Sequence, residues 1–184
     1  TLLAQTGLGA LTQTLEDLST RSLQAEYVGD LSPTTVSPLA VKMVLEFICP
    51  DPFFRGSSLA SDERTINSSP LAYTLTNPGS AEERNPIITL TGPLSNTVIT
   101  NTTNGLSLTY SGSIPSPRVV TIQTDPDTGE YIATNDLGTN VIGNISHAGD
   151  VCLFALEPGD NSLSVTDGTH TTGKVKIDFY PPYL

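Results

Sequence analysis

The sequence predicts an all-β protein, and three observations support this fold class. Only 15% of the 184 residues are charged, against an average of about 25%, whereas Thr, Ser, Asn, Gly and Pro are abundant. Apolar and polar residues alternate along many short segments. Turn residues separate these segments at intervals of about ten residues. We therefore expect an antiparallel β-sandwich or jelly roll.

The first part of the chain is the one stretch in which a helix competes with other structures. Leu11, Leu15 and Leu18 recur at spacings of four and three residues, which is typical of a helix face. Gly7 and Gly9 oppose a helix before Ala10. A short helix and a loop are equally compatible with residues 1–18, and alternation then predicts a strand over 23–27.

Residues 39–49 predict one long strand, which Pro50 and Pro52 end because proline cannot donate to a β-ladder. The alternation places these residues on its two faces: Val41, Met43, Leu45 and Phe47 on one, and Lys42, Val44, Glu46 and Ile48 on the other.

Three regions follow from this pattern. Residues 1–56 form an N-terminal β unit. Residues 57–84 are polar and rich in turn signals, so we expect a connecting strap with one strand near 71–75 and the boundary between two packing units inside it. Residues 85–184 form the sandwich, with turns at Asn104-Gly105 and Asp167-Gly168. Its expected strands are 87–90, 97–101, 106–110, 119–124, 130–134, 151–156, 162–165 and 174–180.

Charge and hydropathy exclude two classes of partner. The chain carries 19 acidic and 8 basic side chains, a net charge of −11, and no basic patch, which argues against nucleic-acid binding. No transmembrane run, signal peptide or lipidation motif is present in the sequence, so we expect no membrane partner.

No residue pattern indicates catalysis, a metal or a cofactor. His147 and His170 lie in loop-like segments without a partner at metal-ligand spacing, and no nucleophile elbow or phosphate-binding loop is present. Residues 125–130 (DPDTGE) resemble the front half of a calcium loop, but a hairpin turn explains them with fewer assumptions. Cys49 and Cys152 both lie in apolar runs and are expected to be buried free thiols, with a disulfide as the alternative.

Five fragments in order resemble the siphovirus tail-component family, whose members include distal tail proteins. The first is the apolar run 41–49, which leads into Asp-Pro-Phe-Phe at 51–54. The other fragments are ITLTGPLSN at 88–96 with VITN at 98–101, VTIQTD at 120–125, FALEPGDNSL at 154–163, and VKIDFYPPYL at 175–184.

The resemblance covers about residues 40–184 and implies a galectin-like β-sandwich joined to a ring-forming β domain, of which residues 1–56 provide only part. It further implies a homo-hexameric ring at the tail tip of a virion, assembled in the host cytoplasm between the tail tube and the hub or fibre. No enzyme activity and no cofactor follow from it.

The candidate contact residues are Asp51, Pro52, Phe53 and Phe54, because paired aromatic residues after a strand are good interface anchors. The alternative is that the two phenylalanines fill the junction between the two packing units.

Two rival functions remain open. The first is a carbohydrate-binding β-sandwich module that recognises a host-surface glycan, with Tyr73, Tyr110 and Tyr131 as candidate stacking residues. The second is another virion part, such as a decoration protein or a fibre-attachment domain.

Overall fold

A computed structural model describes residues 9–28, 34–42, 44–124, 129–148, 154–169 and 172–184. The chain divides into two compact units, with the boundary between Ser57 and Ser58. We call the part up to Ser57 unit 1 and residues 58–183 unit 2.

Unit 1 contains six short strands among its described residues. They are β1 (Gly9–Thr14), β2 (Thr20–Tyr27), β3 (Thr34–Ser37), β4 (Ala40–Lys42), β5 (Phe47–Ile48) and β6 (Phe54–Gly56). The hairpin of β1 and β2 is antiparallel, in a register that pairs Gly9 with Ala25 and Thr14 with Thr20. Strands β5 and β6 also pair with β2, whereas β3 and β4 form a separate hairpin.

Two predictions for unit 1 are wrong. Residues 9–14 form a strand rather than a helix or a loop, because pairing with β2 overrides the weak helical spacing of the leucines. The single strand expected over 39–49 is instead two short ones, β4 and β5, and the described residues 44–46 between them belong to no strand. Met43, in the same interval, lies outside the described residues.

Unit 2 is an antiparallel β-sandwich, as the sequence predicts. Its strands are β7 (Ala60–Thr65), β8 (Leu71–Asn77), β9 (Ile87–Thr91), β10 (Leu94–Asn101), β11 (Leu106–Ile114), β12 (Val119–Thr124), β13 (Tyr131–Asn135), β14 (Ile145–Ala148), β15 (Gly159–Thr166), β16 (Lys174–Phe179) and β17 (Pro182–Tyr183), with a 3₁₀ turn at Ile142–Asn144.

Ten of these strands form two five-stranded sheets. The first sheet has the order β14-β11-β10-β15-β8, and the second has the order β13-β12-β9-β16-β7. Strands β8 and β7, which come first in the sequence of their sheets, therefore lie at the sheet edges. Each pairs with a strand from near the end of the unit, β8 with β15 and β7 with β16. Residues 60–65 and 71–77 pair within the sandwich and do not form a connecting strap. The strand expected near 71–75 is β8, and the boundary between the two units lies within 57–84, at the start of that segment.

The core of unit 2 lies between the two sheets. Alternate residues of the inner strands are buried, as in the pattern of β9, in which Ile88 and Leu90 are buried and Thr89 is not. One cluster of buried side chains spans both sheets, and Phe154, Ile99, Leu163 and Ile177 are among its almost fully buried members. Burial of this apolar surface is the main stabilising contribution to the sandwich.

A buried amide holds the turn before β15. The Asn161 Oδ1 atom accepts hydrogen bonds from Asn101 Nδ2 (2.9 Å) and from the Glu157 backbone N–H (2.8 Å). Its Nδ2 atom donates to the carbonyl oxygens of Glu157 (2.8 Å) and Gly159 (3.1 Å). The side chain is fully buried, so these bonds replace those that water would otherwise provide.

Candidate assembly surface

Unit 1 exposes large apolar side chains, which a folded protein usually buries or covers with a partner. In its described residues, Ala25 alone is buried. The hairpin of β3 and β4 presents Leu39 at 99% exposure, Val36 at 66% and Val41 at 63%. We call these three residues the hairpin patch. Apolar side chains clustered on one short hairpin indicate a surface that a partner covers.

A second group of exposed apolar residues surrounds β5. Val44, Leu45, Phe47 and Ile48 are all exposed, and we call them the β5 patch. Phe47 packs edge-on against Tyr27 of β2, with ring centroids 5.7 Å apart. The β5 patch is therefore anchored on the hairpin of β1 and β2 while its outer side remains open. A signal of this surface is present in the sequence, because both faces of the expected strand over 39–49 carry large apolar residues.

The four predicted contact residues lie together in one braced turn before β6. The Asp51 Oδ2 atom accepts hydrogen bonds from Arg55 Nε (3.0 Å) and Nη2 (2.9 Å), and Oδ1 accepts one from the Phe53 backbone N–H (3.2 Å). Pro52 is exposed, and Phe53 and Phe54 are half-buried. Asp51 thus links this segment to Arg55 and Phe53, but the role of residues 51–54 as contacts, or of the two phenylalanines as a junction filler, stays a prediction.

Only some of the residues considered for metal chemistry are described. His147 is exposed on β14, whereas His170 and residues 125–128 lie outside the described residues. No group of three or more His, Cys, Asp or Glu side chains that could hold a metal ion occurs in the part of the chain that the structure describes. Cys49 is a half-buried free thiol, and Cys152 is another residue that the structure does not describe.

The three tyrosines considered for sugar stacking are not exposed rings. Tyr110 is 5% exposed and belongs to the core. Tyr73 is half-buried, with the Arg64 guanidinium 5.2 Å from its ring centroid, and burial raises the pKa of its hydroxyl. Tyr131 is half-buried as well. A cleft of about 210 Å³ beside β13 is lined by Tyr110, apolar side chains and an ion pair between Arg118 and Asp136 (3.2 Å).

These features define an all-β protein whose sandwich encloses an apolar core and whose smaller unit carries an open apolar surface. Among the described residues, no helix is long and apolar enough to cross a membrane.

The fold is similar to that of a solved structure, the crystal structure of the SPP1 Dit (gp 19.1) protein. That protein is described as a paradigm of the hub adsorption apparatus in phages that infect Gram-positive bacteria. The match has a TM-score of 0.60 at 15% sequence identity, and it covers 96% of this chain and 66% of that chain. No protein-family model matches the sequence, and no curated protein matches it. The likeness shows the fold, and this chain spans just under two thirds of the length of the chain that it resembles.

Proposed function

We propose that this chain is a non-enzymatic structural protein of a bacteriophage tail, a distal tail protein that forms a ring at the tail tip and joins the tube to the hub or fibre. The observation that carries the proposal is the open apolar surface of unit 1. The shared fold supports it, because the likeness to a phage hub protein extends over 96% of the chain.

A closed ring fits the distribution of apolar residues within unit 1. In a ring of identical subunits each interface joins two different patches, so every subunit must carry both. The hairpin patch and the β5 patch are two separate groups of exposed apolar side chains. Obligate interfaces are large and apolar, like a domain core cut in two. The resemblance to distal tail proteins suggests six subunits.

The sandwich has a different role in this proposal. Most of its large apolar side chains lie in its own core, so it offers mainly polar loops and strand edges to partners that bind more weakly or more specifically. The net charge of −11 favours partners with basic surfaces among the tube, hub and fibre proteins. The protein then acts in the virion through its shape and its contacts with other subunits.

The mass of the purified chain in solution tests this proposal directly. Light scattering over a concentration series is expected to give six protomers or another multiple of three. The triple variant Val36→Ser/Leu39→Ser/Val41→Ser removes the hairpin patch and is expected to reduce the mass to that of smaller species. The matched control is Leu59→Ser/Leu137→Ser, because both leucines are exposed on unit 2; this variant is expected to keep the mass of the native protein. A strict monomer at every concentration would contradict the proposal.

Recognition of a host-surface glycan is a second candidate function, and the cleft beside β13 is the observation in its favour. Asn135, Asp136 and Arg118 offer donors and acceptors there, next to apolar side chains. Glycan-array binding by the native protein that is lost in Asp136→Ala would support it. No binding to any glycan on the array would count against it.

A further inference from the structure

Two edge strands of unit 2, one in each sheet, differ in the charge that they carry. Strand β8 ends the first sheet and β7 ends the second, and within the described residues no strand of unit 2 pairs with either on its outer side. Strand β7 carries Asp62, Glu63 and Arg64, whereas β8 has the sequence LAYTLTN and carries no charge. An unpaired edge can accept a further strand unless the sequence opposes it.

Strand β7 carries side chains that oppose such pairing. Glu63 accepts a hydrogen bond from Lys174 Nζ (2.7 Å), and Arg64 forms an ion pair with Asp62 (2.8 Å). A second strand laid along β7 would have to desolvate these charges. Charged side chains on an edge are a usual protection against unwanted pairing.

The backbone N–H and C=O groups of three residues of β8 point away from its partner strand β15. Thr74 is paired in register with Ser162 of β15. Both backbone groups of Ser162 bond on its other side, because its carbonyl accepts from the Thr102 N–H (2.9 Å) and its N–H donates to Thr103 Oγ1 (2.9 Å). Thr74 and Ser162 are therefore a non-hydrogen-bonded pair. Antiparallel alternation then places the N–H and C=O groups of Ala72, Thr74 and Thr76 at the outer edge.

This outer edge is self-complementary. A two-fold axis at Thr74 pairs that residue with its own copy and pairs Ala72 with Thr76, so three hydrogen-bonded residue pairs form without any like charges opposite each other. The side chains of Ala72, Thr74 and Thr76 are all exposed. In a chain with a net charge of −11, an uncharged edge is where a second copy meets the least repulsion.

We propose that β8 of one chain pairs antiparallel with β8 of a second copy, so that two five-stranded sheets become one of ten strands. The contact is isologous, and each copy supplies the same residues. It differs from the ring interface proposed for unit 1 and does not depend on it. In a ring-forming protein, this contact would join two rings, because a two-fold contact adds to the ring interface and does not replace it.

Site-specific cross-linking tests both the contact and its register. In the full chain with Cys49→Ser and Cys152→Ser, the variant Thr74→Cys is expected to give a covalent dimer with a short bifunctional thiol reagent. The control is Thr65→Cys, an exposed threonine on the charged edge β7, which is expected to give none. A mixture of the Ala72→Cys and Thr76→Cys proteins should cross-link one to the other. Either variant alone should not, since its two copies would lie about 13 Å apart along the strands. No dimer from Thr74→Cys, or equal dimer from Thr65→Cys, would overturn the proposal.

A charge placed on the edge provides the second measurement. Thr74→Lys puts two lysines opposite each other and is expected to halve the mass measured by sedimentation equilibrium, whereas Thr65→Lys is expected to leave it unchanged. If unit 1 forms rings, the halving is from paired rings to single rings; if it does not, the halving is from dimer to monomer. Failure of the ring therefore leaves this test intact, and an unchanged mass in Thr74→Lys overturns the β8 contact alone.

Discussion

Unit 1 and unit 2 are both antiparallel β structures, yet they use apolar residues in opposite ways. In unit 2, Ile99, Leu163 and Phe154 are almost fully buried in one cluster between two sheets. In the described part of unit 1, Leu39 and Val36 are exposed and only Ala25 is buried. The difference teaches that strand formation and core formation are separate events. The described strands of unit 1 pair without an apolar core of their own, whereas the stability of unit 2 comes mainly from burial.

Replacing one leucine in each unit by alanine tests this contrast with the largest expected difference in stability. Leu163→Ala is expected to lower the free energy of unfolding of unit 2 by about 2–5 kcal/mol, because Leu163 is 2% exposed and its removal leaves a cavity. Leu39→Ala is expected to change the free energy of unfolding of unit 1 in the unassembled chain by less than about 0.5 kcal/mol, since the Leu39 side chain is 99% exposed there. Denaturant unfolding followed by hydrogen exchange in each unit measures both values, and similar losses from the two variants would contradict the contrast.

Gly92 lies so close to the backbone of a neighbouring segment that a larger residue there tests the packing of unit 2. A methyl group added at Gly92 would overlap the carbonyl oxygens of Ile114 and Pro115. Gly92→Ala is therefore expected to destabilise the sandwich by about 1–3 kcal/mol through overpacking. Gly143→Ala is the control, because an added methyl there meets no atom within 4 Å. Equal melting temperatures of the two variants would show that the loop at Gly92 moves without cost.

The buried amide of Asn161 separates polar from apolar contributions in the same unit. Asn161→Ala leaves the Asn101 amide and the Glu157 N–H without their shared acceptor, so a loss of about 1–3 kcal/mol is expected. Ser162→Ala, which alters an exposed neighbour on the same strand, is expected to have little effect. Chemical denaturation of both proteins gives the comparison, and a neutral Asn161→Ala would mean that water replaces the lost bonds.

The smallest expected effect is in unit 1 and has the opposite sign. Leu18 lies in the turn between β1 and β2 with φ of 64°, and its side chain is 81% exposed. A non-glycine residue in this left-handed region is strained, so Leu18→Gly is expected to stabilise the hairpin by about 1 kcal/mol. Slower hydrogen exchange of the β1 and β2 amides would show it. Faster exchange would mean that the added freedom of the unfolded chain outweighs the relief of strain.

The sequence predicts most of the sandwich because its strands alternate strictly. Strand β12 has the predicted bounds 119–124, and β9 and β16 differ from prediction by one residue. Strand β7 was missed, because an edge strand buries little and ASDERT resembles a polar loop. Strand β1 was misread, because three leucines at helical spacing say nothing about the partner strand that fixes the backbone.

The candidate surface was less accessible to sequence reasoning. Residues 51–54 were predicted as contact residues, and whether they make contacts stays a prediction. The hairpin patch was missed because residues 39–49 were predicted to form one long strand, whereas the fold places Val41 in the separate two-stranded hairpin of β3 and β4. The register that turns Thr74 outward likewise requires the partner strand to be known.

The pairing of early strands with late ones has a consequence for biogenesis. Glu63 of β7 bonds Lys174 of β16 across 111 residues of chain, and Thr76 of β8 bonds Asp160 of β15 across 84. Contacts so distant in sequence form slowly. During translation, β7 and β8 leave the ribosome long before their partners are made, so both sheets stay incomplete until the last long strands emerge. The hairpins of unit 1, built from near neighbours, can form well before that moment.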